Sequence, residues 1–151
     1  MSGIGWYGDL GNFLVMPITG KLHTFKGTEE NPEESYRSRF SHETESSHVD
    51  KYKVKLDDYD IKVELTAAPR SGMIRFTYPK HEESRIQIDL ARRIGETSSE
   101  QFIEVVDDYV IRGWMRCTPE NSGWGNGEGQ GNYTVYLAVS YTHLRAHETG
   151  R

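Results

Sequence analysis

The sequence predicts an all-β chain built as an antiparallel β-sandwich, and three observations carry that expectation. Apolar residues recur at every second position through most of the chain, the period of a half-buried strand. The runs are rich in Val, Ile, Tyr and Thr and are separated by short polar turns. No segment has both the period and the length of an amphipathic helix.

Taken in order, residues 13–18 read as a buried strand, "FLVMPI". In "KYKVKL" Tyr52, Val54 and Leu56 share one face and the lysines the other, as in an antiparallel sheet with one side in water. "DDYD" then turns the chain, and Ile61, Val63 and Leu65 line the next strand. "MIRFTY" and "RIQIDL" follow, the second alternating Ile86, Ile88 and Leu90 with polar partners. "QFIEVV", a turn at Asp107–Asp108 and "YVIRGWMRC" make a further hairpin, and "YTVYLAV" over 133–139 is the last strand. "GTEENPEESYRS" and "NSGWGNGEGQG" are loops. Which strands pair is not readable at this level.

At 151 residues the chain is one domain's length, with 35% apolar residues, a mean hydropathy of −0.72 and a net charge of −5. It has no apolar run of about 18 residues, so no membrane-spanning helix is expected. The lack of a basic stripe argues against nucleic acid as a partner. Cys117 is the only cysteine, which excludes an internal disulfide framework and a multi-cysteine zinc site. It is expected to fill a strand position as a small hydrophobe. Met1 opens in mid-motif and reads as an internal methionine, so the lack of a leader carries no message about location.

Four clusters invite a chemical reading. "FSHETESSH", 40–48, sets His42 and His48 among glutamates, but its Ser and Thr content favours a local turn over a closed metal site. The acid pairs Asp57–Asp58 and Asp107–Asp108 fall where hairpins turn, and Glu82–Glu83 likewise lacks two carboxylates facing one substrate. In "SGWGNGEGQGN" glycine recurs at every second position without a phosphate-binding pattern, which leaves a mobile loop or a sugar platform at Trp124. "SGIGWYGDLGNFLVMP" joins Gly-rich turns to Trp6, Tyr7 and Asp9, suited equally to a carbohydrate-facing surface or to packing on another domain.

Three blocks, "MSGIGWYGDLGNFLVMPITG", "YRSRFSHETESSHVDKYKVKLDDYDIKVELTAAPRSGMIRFTYP" and "NYTVYLAV", together resemble the N-terminal domain of glycoside hydrolase family 92 over residues 1–139. These are bacterial α-mannosidases. The resemblance implies a partial N-terminal β-sandwich, similar to the galactose-mutarotase-like supersandwich, that packs on an (α/α)-helical catalytic domain. It implies a Ca²⁺-dependent, inverting, exo-acting parent enzyme that trims terminal mannose from mannans and N-glycans and is exported to the periplasm or cell surface. The acid, the base and the calcium ligands belong to the helical domain in that family. None is carried onto this chain, and no Ca²⁺ is expected on it. His42 and Glu43 match a signature position whose role the resemblance does not give. Trp6, Asp9 and Trp124 stand as carbohydrate-facing or domain-interface candidates. The family's opening segment upstream of "MSG" is expected to be missing, leaving strand edges unpaired. Residues 140–151, "SYTHLRAHETGR", resemble translated adapter DNA and are expected to be a non-native tail, despite the His-x-x-x-His spacing of His143 and His147. The competing expectation is a free-standing sugar-binding sandwich, without catalysis, that uses Trp6 and Trp124.

Overall fold

The computed structural model describes residues 12–25, 35–93, 96–117 and 133–141, and for 92, 93, 96 and 97 the backbone alone. Eleven strands account for most of them, and one turn of 3₁₀ helix is the sole helical element among the described residues. The all-β, antiparallel class expected from the sequence is what these residues adopt. The chain divides into two compact units, residues 16–87 and residues 1–15 with 88–151.

In the first unit β2 (Ser46–Ser47), β3 (Tyr52–Leu56), β4 (Ile61–Ala68) and β5 (Ser71–Thr77) form a four-stranded meander. The register opposes Tyr52 to Leu65, Val54 to Val63 and Leu56 to Ile61, while Ile74 and Phe76 oppose Leu65 and Val63 from the other side. Since directly opposed residues share a face, these eight positions fall on one side, while Met73, opposite Thr66, falls on the other. Of the eight, Ile61 and Val63 are buried. Lys53, Lys55, Lys62, Glu64 and Arg75 fall on the other side, as the lysine alternation anticipates. The turn after β3 closes through Asp60 in a left-handed conformation (φ 53°), which Asp tolerates better than most residues. Lys55 reaches back to Asp60 at 2.6 Å.

β1 (Leu14–Thr19) pairs with β6 (Ser84–Asp89) in a two-stranded sheet. It begins one residue later than the sequence reading placed it and leaves Leu14 partly exposed, while Ile18 is fully buried. Gly20, at φ +78°, turns the chain out of β1 where a side chain would be strained, and its N–H donates to the Glu83 carbonyl at 2.9 Å. Its carbonyl accepts from Arg85 Nη1, and Gln87 Nε2 donates to the His23 carbonyl at 3.0 Å.

In the second unit β9 (Glu100–Val105), β10 (Val110–Cys117) and β11 (Tyr133–Ser140) form a three-stranded sheet with β10 in the centre. β7 (Arg92–Arg93) and β8 (Glu96–Thr97) make a short hairpin before it. The burial of β10 alternates, with Ile111, Gly113, Met115 and Cys117 inward. Cys117 is fully buried, its thiol 4.0 Å from Asn12 Oδ1, which also accepts from Tyr133 Oη at 3.2 Å. The expected small-hydrophobe role for Cys117 fits that position. The turn into β10 is made as anticipated: Asp107 Oδ1 accepts the Tyr109 N–H at 2.7 Å, a side chain mimicking a backbone turn.

Gly113 leaves no room for a side chain. A β-carbon built on it would sit 2.4 Å from the Phe102 carbonyl oxygen of the neighbouring strand. Backbone cannot yield as a flexible side-chain tip can, so the close approach of β9 and β10 requires glycine. Gly113→Ala is expected to destabilise the chain by about 3 kcal/mol, read as a lower denaturant midpoint at unchanged slope; a shift under a third of that would contradict the close approach.

Candidate functional site

The segment 38–48 is built from the local chemistry of its serines, threonine and acids. Ser41 caps a 3₁₀ turn over His42–Thr44, accepting the Glu43 N–H at 3.2 Å, while Thr44 Oγ1 donates to the Ser41 carbonyl at 2.9 Å. Glu45 leaves the turn and receives the Tyr52 hydroxyl of β3 at 2.6 Å on one oxygen. Its other oxygen lies 2.5 Å from His42 Nδ1. An ionised carboxylate only accepts, so Nδ1 carries the proton and Nε2 faces away from the pair. The His42 ring meets the edge of Phe40 at 5.5 Å. His48 goes elsewhere: its Nε2 contacts Ser46 Oγ at 3.2 Å, and its backbone closes the turn to Lys51. The two histidines therefore do not converge on one ligand. Glu43, exposed, contributes its backbone N–H to the cap.

A second clasp holds the start of the same segment to the β3–β4 turn. Arg39 donates from its backbone N–H to Asp58 Oδ2 at 2.6 Å, and from Nε and Nη2 to Oδ1 at 2.9 and 2.6 Å. Its carbonyl accepts the Asp57 N–H at 2.9 Å, and Ser38 Oγ accepts that of Asp58 at 3.1 Å. Asp58 thus joins a distant arginine instead of only shaping its own turn.

The third cluster lies on the polar face of the meander. Lys51 and Lys53 approach Glu64 Oε1 at 3.1 and 3.3 Å, and Arg75 binds Oε2 from β5. Register produces the Lys53 and Arg75 contacts, because both are the direct opposites of Glu64 on its two neighbouring strands.

Hydrogen bonding and charge push all of these carboxyls the same way. The bonds from Lys51 and then Arg75 bring Glu64 down from the ordinary 4.5 to about 2. Tyr52 and then His42 lower Glu45, Arg39 lowers Asp58, and Lys55 lowers Asp60. The Glu45 bond in turn raises the Tyr52 phenol to about 12. Each acid is held as a carboxylate, which suits an ion-pair partner and not a proton donor. Ca²⁺ takes six to eight oxygens around one point. Asp58, Asp60 and Glu64 are instead turned to separate cations, and no group of three or more His, Cys, Asp or Glu able to hold a metal occurs among the described residues. These residues do not fit a calcium site. Trp6, Asp9 and Trp124 lie outside the described residues, as do 142–151.

Glu64 lends stability that is whole above about pH 4.5 and fades as pH falls through about 2, since its carboxyl is depressed in the folded chain. Glu64→Gln is expected to flatten the acid limb of the melting-temperature profile over that window; an unchanged limb would contradict the cluster. Tyr52 has the opposite sign: its contribution is whole below about pH 10 and is lost as pH rises through about 12. Tyr52→Phe is expected to lower stability near neutrality by about 1 kcal/mol and to speed amide exchange in the 3₁₀ turn; exchange as slow as in the parent chain would count against the pin.

The model of the glycosyl hydrolase family 92 N-terminal domain matches residues 1–148. A search of curated proteins finds no match. Among solved structures, a family GH92 α-mannosidase from Bacteroides thetaiotaomicron matches at 27% identity and a TM-score of 0.68, over 87% of this chain and 22% of that one. The same enzyme in complex with mannoimidazole matches at the same identity and TM-score, over 21% of its length. The chain therefore spans about a fifth of the solved enzymes it resembles. No helix among the described residues is long and apolar enough to cross a membrane. By the extent of the family match, this chain belongs to the N-terminal domain of glycosyl hydrolase family 92.

Proposed function

We propose that this chain is the β scaffold of an exported bacterial exo-α-mannosidase that acts on mannans and N-glycans, and that hydrolysis is carried out by a helical domain beyond it. One observation carries the reading: a family match over nearly the whole chain, joined to an α-mannosidase structure of which the chain spans about a fifth. The described acids support the division of labour. A glycosidase that inverts needs one carboxyl kept protonated and a second carboxylate across the sugar. Here Glu45, Asp58, Asp60 and Glu64 are all lowered and each is bound to partners within its own unit. Carboxyls held this way are unsuited to the protonated acid's role.

In this reading a calcium ion would supply Lewis-acid contacts to sugar hydroxyls from ligands that lie with the catalytic acids outside this chain, and none of the described residues would hold it. What the chain contributes is a rigid surface. The clasps at Arg39–Asp58 and Glu45–Tyr52 fix the exposed turn bearing His42, so that a partner domain meets a preformed shape.

The test compares two proteins, this chain and a longer one that continues it through the helical region. The longer protein is expected to release β-mannose first from an α-1,2-mannobioside, seen by proton NMR, and to stop in EDTA. This chain alone is expected to release none. Release by the chain alone, α-mannose as the first product, or activity indifferent to EDTA would each overturn the corresponding part.

A further inference from the structure

On the three-stranded sheet, Phe102 of β9 and Tyr136 of β11 are the direct opposites of Trp114 on β10. Direct opposites share a face, so the three aromatics form one row across three strands. It is the outward face of β10, since Met115 and Cys117, fully buried, point the other way. Phe102 and Tyr136 remain 46% and 74% exposed. Phe102 and Trp114 stack with centroids 6.1 Å apart and planes 19° from parallel. Single exposed apolar residues are ordinary, but a contiguous row of large rings marks a contact surface.

The rows on either side say what kind of contact. Arg112 Nε donates to Glu104 Oε2 at 2.6 Å on one side, and Arg116 Nη1 lies 3.5 Å from Glu100 Oε2 on the other. Each flanking row thus cancels its own charge. An anionic ligand meets guanidinium groups already matched, and an apolar helix would have to cover two ion pairs beside three rings. A neutral polyhydroxylated ligand fits both features. The C–H face of a sugar ring lies on aromatic π faces, while its hydroxyls find donors in the arginines and acceptors in the glutamates. With strands about 4.8 Å apart, the row runs about 10 Å, enough for about two linked hexoses.

We infer that the Phe102–Trp114–Tyr136 row, edged by Arg112–Glu104 and Arg116–Glu100, is a platform that binds a neutral glycan chain on the face of this sheet. Only the choice of sugar, α-mannan, rests on the mannosidase reading above.

Affinity electrophoresis through gels containing soluble α-mannan tests it, with this chain and with the longer enzyme. Both are expected to be retarded. Tyr136→Thr, which keeps a strand-forming residue at an exposed position, is expected to weaken binding about tenfold. Its melting temperature, and in the longer enzyme its rate on a small mannoside, should stay unchanged. Phe102→Thr provides a second variant with the same expected loss. The inference is overturned if neither parent protein is retarded, if both variants bind as the parent does, or if Trp124→Ala abolishes retardation while they keep it. Retardation of the chain but not of the longer enzyme would show the face to be covered by another domain, which also overturns it. Retardation that depends on Tyr136 in a longer protein with no mannosidase activity would leave the platform standing and remove the mannosidase reading.

Discussion

Glu64 draws Lys51, Lys53 and Arg75 onto one carboxylate at the middle of a four-stranded meander, and much else in this chain follows from that kind of pairing. The sheet has one apolar face and one densely charged face, and the charged face is stable only if its acids and bases are matched in register. A slip of one residue would turn Ile61 and Val63 outward and part Glu64 from its direct partners. Asp58 with Arg39, and Asp60 with Lys55, repeat the same solution at the end of the hairpin. Individually such exposed pairs contribute little. Together they specify one register and hold the 38–48 segment against it.

The same pairing limits what these residues can do chemically. Each neighbouring cation or donor that stabilises a carboxylate also removes its capacity to hand over a proton near neutral pH. The four carboxyls held in this way are poor proton donors, and the domain they belong to spans about a fifth of the enzymes it resembles. What the scaffold offers in exchange is surface: a clasped turn that presents His42 from one unit, and an outward row of aromatic rings on the other.

Strand identity was legible in the sequence because period two is a local signal. Eight of the observed strands lie within or beside the predicted runs, and the last extends one residue further than expected, to Ser140. The short pairs β2 and β7–β8 were not visible, since two residues carry no periodicity. The turn character of "FSHETESSH" was legible from its capping residues. Its anchor on Tyr52 was not, because that bond joins residues on different elements. The Glu64 cluster and the aromatic row were hidden for the same reason: both arise from register between strands, which no single strand encodes. Asp57–Asp58 shows the limit from the other side. Its turn position was legible, but the partner of Asp58 lies nineteen residues away.

The central claim is that Glu45, Asp58, Asp60 and Glu64 serve the fold as carboxylates held by their partners, and not as proton donors. Carbon-detected NMR titration of the side-chain carboxyls of this chain tests it most directly. Glu45, Asp58, Asp60 and Glu64 should all titrate below their ordinary values, with Glu64 near 2. A carboxyl among them that keeps its proton towards neutral pH would be an acid poised for catalysis, and would contradict the account.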